Sequence, residues 1–241
     1  MKLIFQGFCL ILVYSLLPFS LIAQPGTYIS LKQKSDIIEN NKKIANEVDL
    51  YYDNNKKVIT KNYLAPKNFV MISNSLGEIK TYYPASNEVS YNHVKELSSL
   101  RNLIYFFANN LTDNLGLTDE GFNLSSNTYE DQYNVTIWKA PFSLKGIDRV
   151  KMVFENRLPV YSEYLSNKDK ILKKIYYTNY QDFNQFRLPL KIIEISYLPS
   201  GDSIVTRTLF SNVKASSTAD NVYFNYTIPE NAKPLGVHKD H

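Results

Sequence analysis

This chain reads as an α+β protein that is mainly β, with about eleven antiparallel strands in one sheet large enough to curl. Three observations predict it. From Ile147 to Pro229 runs of Ile, Val, Tyr, Phe and Thr are cut at short intervals by turn residues, the mark of a meander. No amphipathic helix fits between those runs, so they pair with sequence neighbours rather than through crossovers. A single strong helical stripe occurs in the whole sequence, from Val94 to Leu111, where Leu97, Leu100, Leu103, Ile104, Phe107 and Leu111 recur every three or four residues.

In chain order, Tyr28 to Lys43 reads as a short amphipathic helix carrying Ile29, Leu31, Ile37 and Ile38, with Ser35 or Asp36 as an alternative starting cap. From Ile44 the period becomes two, and Ile44, Val48, Leu50 and Tyr52 share a face up to a turn at Asp53, Asn54 and Asn55. Val58 to Leu64 returns, ended by Pro66. Phe69 to Ile72 and Glu78 to Tyr83 follow around an Asn74 to Gly77 turn. Four strands thus precede the helix, whose start Ser90 or Asn92 can cap. The polar stretch from Asp113 to Gln132 is expected to be a mobile connection over the sheet, with a helical turn around Leu115 to Gly121. Tyr133 to Lys139 resumes strand character and carries Trp138. In the meander, Asn156 and Arg157 form a bend, Pro199 to Asp202 form a hairpin loop, and Val222 to Ile228 is the last strand.

Residues 1–23 stand apart. Lys2 precedes an almost unbroken apolar run that ends Ser20, Leu21, Ile22, Ala23, the layout of a secretory signal peptide cleaved after Ala23. An uncleaved membrane anchor is the alternative, since about 20 apolar residues span a bilayer. Cys9, the one cysteine, lies inside this segment, so a mature chain carries neither a disulfide nor a thiolate metal site. Residues 24–234 read as one domain, without internal repeat or linker, and 235–241 as a flexible tail.

The net charge of +4 comes from 27 basic and 23 acidic residues scattered along the chain, so no electrostatic footprint for nucleic acid is visible. No glycine-rich phosphate loop, Gly-x-Ser-x-Gly elbow or His-Glu-x-x-His helix occurs. His93 has no nucleophile or orienting partner nearby in sequence, and His238 and His241 sit with Asp240 in the polar tail. The Glu130–Asp131 pair lies in the polar connection. The basic cluster Lys168 to Lys174 reads as a strand and turn surface. Nothing here points to an enzyme, a cofactor or a metal.

Several segments resemble the LolA/LolB-like periplasmic lipoprotein carriers and lipoprotein-sorting proteins. They are Gly77 to Pro84 (GEIKTYYP) with Asn87-Glu88-Val89, the helix that follows, Leu158-Pro159, Tyr177 to Tyr180, Leu188-Pro189, and Phe224 to Pro229 with Glu230-Asn231-Ala232. The resemblance covers roughly Ile44 to Pro234 and rests on pattern more than on a signature. It implies a half-open, strongly curved antiparallel β-barrel with one to three helices covering the concave side and an apolar cavity between. Some members carry an arginine in the early strands that gates the cavity; here those strands offer Lys56, Lys57 and Lys61, and no arginine precedes Arg101.

The function implied is a periplasmic carrier that holds the acyl chains of a lipoprotein or related lipid for delivery to the outer membrane, between an inner-membrane donor and an outer-membrane acceptor protein. Each buried methylene is worth about 0.8 kcal/mol, so a soluble shuttle needs apolar area comparable to what the membrane offers. Aromatic and methionine side chains supply it adaptably. The candidate lipid-binding residues are Val48, Leu50, Tyr52, Phe69, Met71, Tyr83, Trp138, Met152 and Phe154 on strands, with Leu100, Leu103 and Phe107 on the helix. For each, plain core packing is the competing role. For the molecule, the alternative is a non-catalytic interaction or sensor module of the cell envelope with the same fold.

Overall fold

The computed structural model describes residues 27–183 and 185–236; the signal-peptide segment and the last five residues of the expected tail lie outside them. The described chain forms one sheet of fourteen strands, three short 3-10 segments and one α-helix. The strands are β1 (Tyr28–Glu39), β2 (Lys42–Asp53), β3 (Val58–Ala65), β4 (Phe69–Ser73), β5 (Glu78–Tyr83), β6 (Glu88–His93), β7 (Asn123–Glu130), β8 (Tyr133–Lys139), β9 (Arg149–Glu155), β10 (Leu158–Leu165), β11 (Ile171–Asp182), β12 (Arg187–Tyr197), β13 (Ser203–Ser216) and β14 (Lys233–Pro234). Their order is β14-β6-β5-β4-β3-β2-β1-β13-β12-β11-β10-β9-β8-β7. Two meanders, β1 to β6 and β7 to β13, therefore join at the antiparallel β1–β13 pair. The outermost strands, β14 and β7, are not paired with each other, so the sheet stays half-open.

The segment from Tyr28 is not a helix. It is β1, in the middle of the sheet, because Ile29, Leu31 and Ser35 alternate inward at period two and all three are buried. Asn40 and Asn41, with φ of 47° and 61°, close a tight hairpin to β2, a left-handed pair that asparagine tolerates well. Ile44, expected on the apolar face of β2, lies near that hairpin tip and is exposed.

Six strands, not four, precede the helical region. That region is not one helix from Val94 to Leu111 but 3-10 turns at Lys95–Leu97 and Ser99–Arg101, then α1 (Leu103–Ala108). The breaks have a local cause. Ser98 and Asn102 sit in extended backbone, and their side chains accept the amide hydrogens of Leu100 and Ile104, so each starts a new turn instead of continuing the last.

The Asp113–Gln132 stretch, expected as a connection over the sheet with a helical turn around Leu115 to Gly121, has turns but no helix as far as residue 121 and then forms β7, all eight of whose residues are exposed. A strand wet on both faces has no apolar alternation to read. Conversely, Val222 to Ile228 is not a strand. Its aromatic residues form a 3-10 turn, Val222–Asn225, on the outer face of the first meander, where Tyr223 stacks on Tyr51 and Tyr226 lies against Tyr82. Lys233 and Pro234 then pair in parallel with Glu88 and Val89 at the sheet edge.

Candidate functional site

Registration across the ladder defines an inner face. On the first meander Ile29, Tyr52 and Ile59 align in one row and Leu31, Leu50, Lys61, Met71 and Thr81 in the next. Val48, Tyr63 and Phe69 align in a third, continued by Tyr83. On the second meander the same face carries Phe210, Ile192, Tyr177, Ser162, Met152 and Thr136. α1 packs on this face. Ile104 and Phe107 join Ile29, Leu31, Leu50, Tyr52, Ile59, Tyr177, Leu188, Ile192 and Phe210 in one buried cluster that bridges the two meanders. Every strand candidate named from the sequence lies on this face.

The candidates divide by what covers them. Leu50, Tyr52 and Phe107 are closed off, at 0%, 0% and 1% exposure, and form the central plug. Met152 is equally closed in a second cluster with Leu117, Phe122, Trp138, Val150 and Phe154. Val48 is buried within the sheet face. Phe69, Met71, Tyr83, Leu100 and Leu103 are only half-buried, so the plug does not seal the inner face toward β4 and β5. There Tyr63 stacks on Phe69 with centroids 4.1 Å apart, and Phe69 lies 5.8 Å from Tyr83. Tyr63 escaped the sequence reading, although the alternation of Val58 to Leu64 places it and Lys61 on the face of Ile59.

At the other end, a cavity of about 550 Å³ opens along the inner face of β7, β8 and β9, within the usual range for ligand pockets, about 300 to 1,000 Å³. Trp138 and Phe154 are the sequence-named residues in its wall. Leu124, Tyr129, Asn127, Asn134, Thr136, Asn156 and Arg157 complete the lining, with Gln132 and Asp113. The polar groups are partly engaged with one another: Trp138 Nε1 donates to Thr136 Oγ1 at 2.9 Å, and Asn134 Nδ2 to Asn127 Oδ1 at 2.6 Å. Amides on an exposed strand carry no periodic apolar signal, so they could not be singled out from sequence. Between these two regions, Lys173 lies 3.4 Å from Glu194 and over the ring of Tyr164; burial, with Glu120 and Glu194 adding to it, pushes the Tyr164 hydroxyl up to about 12.

Among the described residues no group of three His, Cys, Asp or Glu is placed to hold a metal ion. His93 lies at the end of β6, where its Nε2 sits 2.8 Å from the Leu76 carbonyl oxygen.

Solved structures share this half-open antiparallel sheet. No sequence-family model matches this chain, and no curated protein matches it in sequence. A DUF1329 family protein from Desulfovibrio piger superposes with TM-score 0.55 at 16% identity, over 85% of this chain and 91% of its own. A LolA superfamily protein from Nitrosomonas europaea (TM-score 0.52) and a domain from Vibrio parahaemolyticus described as an outer-membrane lipoprotein-sorting protein (TM-score 0.53) each match at 13% identity, over 83% of this chain and 90% of theirs. The chain has a LolA-like fold.

Proposed function

We propose that the protein is a non-catalytic carrier of the bacterial cell envelope that holds acyl chains of a lipoprotein or related lipid against the inner face of its half-open sheet. The observation that carries this is the incomplete cover. The inner face carries apolar and aromatic side chains on both meanders, yet α1 plugs only its centre and leaves open to water the Tyr63–Phe69–Met71–Tyr83 region and, in the more polar β7–β9 cavity, the Leu124, Tyr129, Trp138 and Phe154 wall. Apolar surface kept accessible at a cost in stability is what a soluble acyl carrier requires. The signal-peptide pattern of residues 1–23, together with the lipoprotein-sorting description of a structural neighbour, supports a periplasmic location, with a membrane donor and an outer-membrane acceptor as partners.

The test is lipid mass spectrometry on protein purified without detergent from an envelope fraction. Copurified acyl lipid is expected, and Met71→Trp and Asn127→Trp, which fill the two open regions, should reduce it severalfold with the fold intact by circular dichroism. A well-folded protein free of acyl lipid, which also fails to take up a fluorescent fatty acid, sinks the reading. One observation favours a second role, as an interaction module: β7 is entirely exposed and has one free edge among the described strands, able to accept a strand from a partner.

A further inference from the structure

Lys61 is a cation in an apolar place. The ladder sets it between Leu50 on β2 and Met71 on β4, one row from Val48, Tyr63 and Phe69, on the face that α1 plugs. Several lysines elsewhere in the sheet, Lys34 and Lys43 among them, have carboxylate partners. On the outer face Lys32 is 3.0 Å from Glu47 and 3.8 Å from Asp49, and on the inner face Lys173 pairs with Glu194. The Lys61 ammonium has neither a hydrogen bond nor an ion pair among the described residues. The residue is half-buried rather than sealed, and its desolvated ammonium is the inner end, so a ligand must enter the open part of the inner face to meet it.

We propose that Lys61 is the headgroup anchor of the inner face and selects amphiphiles carrying one negative charge at the end of an acyl chain. The inference rests on the carrier reading above and specifies what that carrier takes. Charge complementarity is the argument. An ammonium ringed by leucine, methionine and aromatic side chains loses hydration without recovering it from a carboxylate, and the resulting desolvation lowers its pKa from the ordinary lysine value. A ligand anion supplies the missing partner, while its chain lies along Val48, Tyr63, Phe69 and Met71. One lysine matches one charge. A phosphate monoester, with a charge near −1.5 to −2 at neutral pH, brings more than Lys61 can neutralise. A fatty carboxylate or a phosphodiester lipid fits.

The experiment compares three single-chain lipids on delipidated protein: palmitate, palmitoyl lysophosphatidylglycerol, and neutral monopalmitoylglycerol. Affinities are read by displacement of a neutral fluorescent acyl probe. Both anions should bind the native protein about tenfold or more tighter than the neutral lipid. Lys61→Met should erase that preference by weakening the two anions, and Lys61→Arg should keep it. A preference for palmitate alone or for the phosphodiester alone supports the anchor and names the headgroup. Equal binding of the neutral lipid, or a preference that survives in Lys61→Met, overturns the anchor and leaves the carrier intact. Failure of all three lipids and of the probe to bind overturns both.

Discussion

Two charged residues show how position decides what a side chain does. Asp53 is 1% exposed at the end of β2, yet its Oδ1 accepts the amide hydrogens of Asn55 and Lys56 at 2.9 and 3.1 Å, and Lys56 Nζ stands 3.7 Å from Oδ2. It is the organiser of the β2–β3 turn. Asp53→Ala removes the one oxygen that accepts both turn amides, and with it the carboxylate facing Lys56, so it should cost about 1 to 3 kcal/mol, read as a lower midpoint in urea unfolding. Lys61 is the opposite case, a half-buried residue whose desolvated ammonium has no partner. Its folded pKa lies below the unfolded value, so between the two the unfolded chain binds more protons and stability rises with pH. Lys61→Met should therefore stabilise the ligand-free protein at neutral pH. The advantage of the variant should shrink as pH climbs toward 10.5, where the unfolded lysine also loses its proton. Thermal melts of both proteins from pH 6 to 10 check this; a gap that is constant or widens with pH contradicts the desolvated placement of Lys61.

At the scale of elements, the helical plug is held less by its own propensity than by its attachments. α1 has six residues, too few to persist alone, and its stability comes from Ile104, Phe106 and Phe107 buried beneath it and from the Asn102 cap. The segment leading to it is tied to the β4–β5 hairpin at Gly77, whose carbonyl accepts the Val94 amide at 2.9 Å. Gly77 has φ of 84°, and a Cβ there would meet the Val94 oxygen at 2.8 Å. Both strain and clash oppose any side chain. Gly77→Ala should destabilise by about 1 to 3 kcal/mol and loosen the plug, seen as faster hydrogen exchange from Lys95 to Ala108 than in β1 or β13. An unchanged exchange pattern would show that the plug is anchored elsewhere.

For the whole molecule, the architecture separates a rigid centre from two open ends. β1 and β13 join the meanders under α1, and the apolar cluster they share with β2, β3, β11 and β12 is closed off from water. On the carrier reading proposed above, an acyl chain lies toward β4 and β5 or in the cavity along β7 to β9, so substitutions at Met71 and Asn127, rather than at Phe107, are the informative ones. Phe107 was an attractive lining candidate in the linear sequence. In three dimensions it is a core residue, and its loss would test folding instead of binding.

The linear sequence was enough for the class of fold, because alternation at period two in β2 to β5 and β8 to β13 reports one buried face directly, and Asn156, Arg157 and Gly201 mark their turns. It also placed every strand candidate on one face, since parity within a strand is fixed by the pleat. What it could not decide depends on partners far away in the chain. Whether Tyr28 to Glu39 is helix or strand was settled by β13, which supplies hydrogen bonds from residues almost two hundred positions later. The exposed β7 exists because β8 pairs with it, and the aromatic residues after Asn221 left the sheet because Tyr51 and Tyr82 offered them a face to cover. Likewise a lysine among hydrophobes in one strand is unremarkable as text; only the ladder, which sets Leu50 and Met71 on either side of it, makes Lys61 a charge in search of an anion.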